Sequence, residues 1–232
     1  MRRELDQYRQ IQSKARIVLE KIASSISEDS TELSISNQCI QLLAELGITQ
    51  TWYYSVPALV LLGSRSCLSI SGKNYIPASE KVGDRNLITI DLSPLNGDTW
   101  GDCARSFPIP KGRVNFTSQD PEFSQGIDAE NILHKAFVNY VQPNMTFEMV
   151  FDEMNRKIFE LGFVNLDFMG NVGHSIVKRK ENRTYFMKGN TTRLDQVDLF
   201  TFEPHIRLSN GKWGFKHENI YFFDESMKLC EL

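Results

Sequence analysis

Two pairs of carboxylates stand at matching positions in this sequence of 232 residues: Asp91 with Asp102, and Glu203 with Glu218. An apolar run leads into each pair, Leu87-Ile88-Thr89-Ile90 into the first and Leu199-Phe200-Thr201-Phe202 into the second. Each pair also brackets an Asn-Gly dipeptide, at 96–97 and at 210–211. Asn-Gly is a strong hairpin signal, because both central residues of a type I′ turn need positive φ. The midpoints of the two pairs are 96.5 and 210.5, so each pair is expected to oppose across an antiparallel ladder. Opposed side chains there have Cβ atoms about 5 Å apart, a distance at which like charges repel. Something positive must stand between them. If the two hairpin faces meet, four carboxylates form one cluster, and a divalent metal site is the expected solution. Two ordinary hairpins with solvated acidic faces are the alternative, which the apolar flanks disfavour. One imidazole would shift such a cluster from hard cations toward a transition metal or zinc. The candidate is His174, in Gly170-Asn171-Val172-Gly173-His174, where the glycines let the backbone approach closely.

Hydrophobic spacing gives the elements that position these groups. Leu5, Tyr8, Ile11, Ala15, Val18, Leu19 and Ile22 recur at three- and four-residue intervals and predict a helix over about 4–24. Ser30 or Thr31 caps a second helix, with Leu33, Ile40, Leu43 and Leu46 inward and Gly47 as its stop. Trp52 to Gly63 reads as extended, and Ser64 to Lys81, broken by Gly72 and Pro77, as loop and short strand. Beyond the first hairpin, Lys111 to Gly126 reads as a surface loop. Ile132, Leu133, Ala136, Phe137 and Tyr140 mark a third helix, and Thr146 opens a fourth. Thr31 to Gly47 and Thr146 to Gly162 are both 16 residues, and both helices end Glu-Leu-Gly. An offset of 115 carries Asp91 and Asp102 to positions near Glu203 and Glu218. The pattern predicts a helix-helix-strand-hairpin unit used twice. The expected fold is a single pseudo-twofold α/β (α+β) domain over 1–232, with an antiparallel sheet and paired outer helices. Its repeats span about 3–108 and 128–224, and its site lies where the hairpins meet.

Composition narrows the class. Hydrophobic content of 41% and charged content of 24% suit an ordinary globular domain. A net charge of −3 gives no electrostatic case for nucleic acid or an anionic membrane. No apolar stretch approaches the roughly 20 residues needed to cross a bilayer, and the first residues carry no apolar signal core. Cys39, Cys67, Cys103 and Cys230 are scattered and read as reduced thiols of a cytoplasmic protein. Strand alternation turns Cys103 away from the face of Asp102. The expected partner is a small peptide or small-molecule substrate, with no nucleic acid and no membrane. The oligomeric state stays open, a homodimer included.

The order Asp-x10-Asp, Gly-His, Thr-Phe-Glu-Pro and a late Glu resembles the pita-bread metallopeptidase family, which includes methionine aminopeptidase, aminopeptidase P, prolidase and creatinase. The resemblance covers essentially the whole chain and is to the catalytic domain. It implies two divalent ions, of Mn, Fe, Co or Zn, sharing a bridging water that attacks an amide. Asp91 would hold one ion in bidentate fashion, Asp102 and Glu218 would bridge, and His174 and Glu203 would complete the other. Family peptidases also carry a histidine upstream of the first aspartate and another after the ligand histidine. Here Ser64 to Asp91 and Ser175 to Pro204 contain none, and His205 follows Glu203-Pro204. Strand parity places His205 beside Glu203, so it is the candidate catalytic residue; His217 should face away, and His134 reads as a structural helix residue. Three functions follow in order: an aminopeptidase-like hydrolase of short peptides or small amides, the same site turned to creatinase-like C–N hydrolysis or metal-dependent oxidation, and a non-catalytic binding protein.

Overall fold

Helix α1 (Arg2–Ser25) forms where the three- and four-residue apolar spacing places it and buries Ile11, Ala15, Val18 and Ile22. The structure, a computed structural model, describes residues 2–232. A reciprocal capping box starts α2 (Glu32–Glu45): the Thr31 hydroxyl accepts from the Ser34 amide, and the Ser34 hydroxyl accepts from the Thr31 amide. Gly47, at φ +79°, ends the turn that follows. Of the expected inward residues of α2, Leu43 is buried and Leu46 partly so, whereas Leu33 and Ile40 are exposed and Ile35, Ser36 and Cys39 complete the stripe. The Ser36 hydroxyl donates to the Ala58 carbonyl at 2.9 Å, so a small polar anchor shares this stripe with the apolar residues.

Of the expected extended run over 52–63 only β2 (Ala58–Leu62) is strand, and a separate short strand, β1 (Gln50–Thr51), precedes it. Between them Tyr54 and Ser55 take positive φ and the Val56 amide donates to the Tyr53 carbonyl, a turn that the apolar composition conceals. The first hairpin comprises β3 (Asn86–Leu92), β4 (Pro94–Asn96), β5 (Thr99–Trp100) and β6 (Cys103–Ile109). Strands β2, β3 and β6 form one antiparallel sheet, and β1, β4 and β5 a smaller one at its end.

Helix α3 (Pro121–Tyr140) starts before the expected loop ends. Its start signal is Asp120, which caps the Glu122 amide, followed by Pro121 at the first helical position. Gly126, which argued for loop, lies inside the helix because a Cβ there would fall 2.2 Å from the Phe215 ring. After α4 (Phe147–Glu160), capped by Thr146, come β7 (Phe163–Asn165), β8 (Ser175–Ile176), β9 (Leu199–Phe202), β10 (His205–Leu208), β11 (Gly214–Lys216), β12 (Asn219–Phe223) and β13 (Leu229–Glu231). They pair as sheets ordered β8-β9-β12-β13 and β7-β10-β11. Each half thus runs two helices, a strand and a hairpin. The first packs mainly aliphatic side chains and the second an aromatic cluster around Phe137, Phe147, Phe200 and Phe202.

The seam between the halves carries the site. The Glu218 amide donates to the Ala104 carbonyl at 3.0 Å, and the Lys216 amide to the Ser106 hydroxyl at 2.7 Å. Arg105 spans the joint, donating to the Glu218 carbonyl and to Asn219 Oδ1 at 2.7 Å each. Strand β6 therefore lies along β11 and β12, which brings the two carboxylate hairpins together.

Candidate metal centre

The first hairpin is shifted relative to the arithmetic of the sequence. Asn96 pairs with Thr99 and Asp91 with Ala104, so the turn centres on Gly97 and Asp98. Of these two central residues only Gly97 has positive φ, at +62°, as in II′ turns rather than the I′ turn expected of Asn-Gly. Asp91 and Asp102 consequently sit diagonally rather than opposed. A shift of two residues preserves the face, so both still look toward the same side. The buried Gln12 of α1 fixes Asp102 further, donating from Nε2 to its carbonyl at 2.7 Å and accepting from its amide at 3.2 Å.

The second hairpin keeps the expected register. His205 pairs with Lys216 and Asn219 with Phe202, which places Glu203 opposite Glu218. His174 reaches them because Gly173, at φ +145°, lets the chain pass where a Cβ would lie 2.4 Å from the Thr201 carbonyl oxygen. The His174 amide donates to the Thr201 hydroxyl at 3.0 Å, and its carbonyl accepts from the Thr201 amide at 2.7 Å. Its ring Nδ1–H donates to the Ser175 carbonyl at 3.1 Å. That bond fixes the tautomer and leaves the Nε2 lone pair for a ligand.

Asp102, His174 and Glu218 each direct a ligand atom into one space, all within 4.8 Å of one another. His174 Nε2 lies 3.4 Å from Asp102 Oδ2 and 3.6 Å from Glu203 Oε1. Glu218 is completely buried, and neither carboxylate oxygen meets a hydrogen-bond partner among the described residues. Burial drives its carboxyl pKa well above the ordinary range, reinforced by Asp102 and Glu203. Burial and Asp91 do the same to Asp102, and burial raises Glu203. Burial also lowers the His174 imidazole, which favours the neutral, ligating form.

Asp91 meets a different positive group. The Lys216 ammonium lies 2.6 Å from Asp91 Oδ2 and 3.2 Å from Glu203 Oε2. Burial opposes its charge, but Asp91, Glu203 and Glu218 outweigh that and hold its pKa well above that of a free lysine. The sequence reading missed this residue, although the signal was present: Lys216 is two residues from Glu218 and opposite His205, hence on the ligand face by parity.

Asp91, Asp102, His174, Glu203 and Lys216 line the floor of a cavity of about 580 Å³, whereas Glu218 is fully buried and does not line it. Leu59, Leu61, Leu68, Ile70, Phe168 and Met187 give it apolar walls. His205 is in the wall, buried, and donates from Nε2 to the Ser66 carbonyl at 2.6 Å. Burial lowers its pKa to about 4, so it is neutral at pH 7 with Nδ1 left as an acceptor. His217 faces away as expected and packs on His134, ring centroids 4.0 Å apart. His134 is structural: its Nε2 donates to the His217 carbonyl, and Nδ1 accepts from the Tyr221 hydroxyl. Arg183, from the loop after β8, also lines the cavity and has no sequence signal that marks it.

The donor set fits a divalent ion. An isolated buried carboxylate is costly unless it is paired or coordinates a metal, and among the described residues Glu218 has neither a hydrogen-bond donor nor an ion-pair partner on its oxygens. Carboxylates with one tautomer-fixed imidazole suit a transition metal or zinc. Asp102, His174 and Glu218 would hold such an ion, with Glu203 beside them.

Residues 6–225 match metallopeptidase family M24. No curated protein sequence matches the chain. Among solved structures, X-Pro aminopeptidase from Thermotoga maritima MSB8 has a TM-score of 0.82 at 16% identity, covering 100% of this chain and 61% of that one. Prolidase from Pyrococcus furiosus gives 0.81 at 16%, with 100% and 64% covered. Methionine aminopeptidase from Rickettsia prowazekii gives 0.73 at 14%, with 100% and 97% covered. At these identities the likeness is one of fold, the pita-bread fold. The chain spans about three-fifths of the length of the first two.

Proposed function

The chain belongs to metallopeptidase family M24, and on that premise we propose that it is a divalent-metal-dependent hydrolase that cleaves an amide bond in a short peptide or small amide. The observation that carries the proposal is the buried Glu218 carboxylate, without a donor of its own and convergent with Asp102 and His174. Divalent metal bound there would supply an activated water and polarise the carbonyl under attack.

This chain's residues divide the remaining work. Asp102, His174, Glu203 and Glu218 would hold the first ion. Asp91 would join a second only if Lys216 gave way, so two ions would bind with unequal affinity. Until then Lys216 neutralises Asp91 and Glu203. The cavity falls within the roughly 300–1,000 Å³ of small-molecule sites, and its apolar walls favour a substrate with an apolar side chain. His205, with Nε2–H held by Ser66, is the catalytic candidate as an acceptor for a proton or hydrogen bond at Nδ1. Its replacement by alanine is expected to lower kcat/KM about tenfold or more and to leave metal content unchanged.

The second reading keeps the site and changes the substrate to a non-peptide amide. It is favoured by one observation: among the described residues the cavity is lined by only two histidines, His174 and His205. The test is hydrolysis of dipeptides, Xaa-Pro peptides and small amides by protein loaded with Mn, Co or Zn. Turnover that vanishes in Glu218→Ala supports the hydrolase reading, and the preferred member separates peptide from non-peptide substrates. No turnover on any member with any metal refutes it.

A further inference from the structure

Amide hydrolysis builds negative charge on the carbonyl oxygen, and a positioned donor at that oxygen is worth about 10²–10³ in rate. The donors around the cavity floor are mostly engaged. Lys216 is held between Asp91 and Glu203, the His205 Nε2–H by Ser66, and the His174 Nδ1–H by Ser175. Arg183 is different. Its Nε donates to the Lys180 carbonyl at 2.9 Å, and no carboxylate of the described residues pairs with it. Its guanidinium carbon lies 4.8 Å from the Trp52 ring centroid and 5.6 Å from that of Tyr185. Trp52 is itself fixed, donating from Nε1 to the Gly101 carbonyl at 2.8 Å and packing on Trp100 at 4.4 Å. Two ring faces, one backbone bond and a long hydrogen bond from Nη1 to the His174 Nε2 lone pair thus hold a cation that has no carboxylate partner among the described residues. It is aimed at the reacting centre, with Nη1 3.5 Å from His174 Nε2.

From this placement we propose that Arg183 is a catalytic residue that donates to the substrate carbonyl oxygen as it becomes an oxyanion. The proposal rests on the hydrolase reading above. Water adds to the carbonyl carbon and the C=O electron pair moves onto oxygen beside Nη1. The pair returns as the C–N bond breaks; one proton of the water passes to the departing nitrogen, which leaves as the amine, and the other stays with the product carboxyl group. Arg183 transfers no proton, so its charge is constant through the step. It fills the donor role for which family peptidases use histidines that this sequence lacks. The signal is a cation stacked on aromatic rings and left without a counter-ion.

A phosphinic analogue of alanyl-alanine tests this, since its anionic tetrahedral oxygens stand in for the transition state. Its binding to the Mn-loaded protein is measured by calorimetry, with a free C-terminal carboxylate and with a C-terminal amide. Arg183→Gln is expected to weaken both forms about 100-fold, with Arg183→Lys intermediate. Metal content and thermal midpoint should match the wild type in both variants, and kcat should fall while KM stays within about threefold. Wild-type affinity for the amidated form in Arg183→Gln overturns the oxyanion role and leaves the hydrolase reading standing. An effect confined to the carboxylate form assigns Arg183 to the substrate's own carboxylate and overturns it as well. Failure of the wild-type loaded protein to bind either form overturns the oxyanion role on a peptide carbonyl together with the peptide form of the hydrolase reading.

Discussion

Glu218→Gln should change the stability of this protein in opposite directions with and without metal. In the ion-free protein Glu218 is fully buried, receives no hydrogen bond, and faces Asp102 and Glu203. Leaving such a group unsatisfied costs roughly 1–3 kcal/mol or more. Glutamine has nearly the same volume, carries no charge and brings donors that its carboxylate neighbours can accept. The ion-free variant should therefore be more stable than wild type by about 1–3 kcal/mol. For a chain of this length that is roughly 3–10 °C in Tm. With a divalent ion at about a thousand times its Kd, the wild type gains about 4 kcal/mol per site, a gain that the variant forfeits in large part. The curves should cross: variant above wild type in EDTA, wild type above variant in saturating Mn. Urea denaturation under both conditions reads this directly. A variant less stable than wild type in EDTA, or equal stabilisation of both by Mn, refutes the reasoning that Glu218 awaits a cation.

Two further outcomes follow from other groups. Lys216→Met leaves Asp91 without its ammonium, and loss of one partner of this part-buried pair costs about 1–3 kcal/mol in EDTA; the same change should tighten the second ion in a calorimetric titration, and an unaltered second binding step would contradict its displacement role. Glu130, buried behind Ser106, has its carboxyl pushed up by burial to about 8. Its ordinary value is about 4.3, so the folded state holds a proton that the unfolded chain releases between these values. Its contribution is therefore fully present below about pH 4.3 and is lost at about 1.4 kcal/mol per unit toward pH 8. Glu130→Gln should gain stability relative to wild type across that window, and a pH-independent difference would rule out a protonated Glu130.

The sequence exposed the ligand pattern because hairpin parity is a local property. Glu203 opposes Glu218 as counted, and Asp91 and Asp102 share a face even though their turn moved, since the shift was an even number of residues. Helix starts at Thr31 and Thr146 were legible from capping chemistry, whereas Asp120-Pro121 was obscured by Gly126, whose reason is a ring from the other end of the chain. The positive group demanded by opposed carboxylates was read as metal alone. Lys216 supplies part of that charge, and parity could have found it. Arg183 could not be found this way, because its place depends on Trp52, some 130 residues away in sequence, and on a loop without periodicity. Whether the halves superpose as repeats is a separate proposal, consistent with the shared order of helices, strand and hairpin.

Direct elemental analysis of protein purified without chelators bears most closely on the central claim, that Asp102, His174 and Glu218 hold a divalent ion. Wild type should carry about one equivalent of a transition metal or zinc, rising toward two on saturation, and Glu218→Ala should carry a small fraction of that while remaining folded. A folded wild type that takes up no divalent ion, or a Glu218→Ala variant that retains the full complement, would contradict the account.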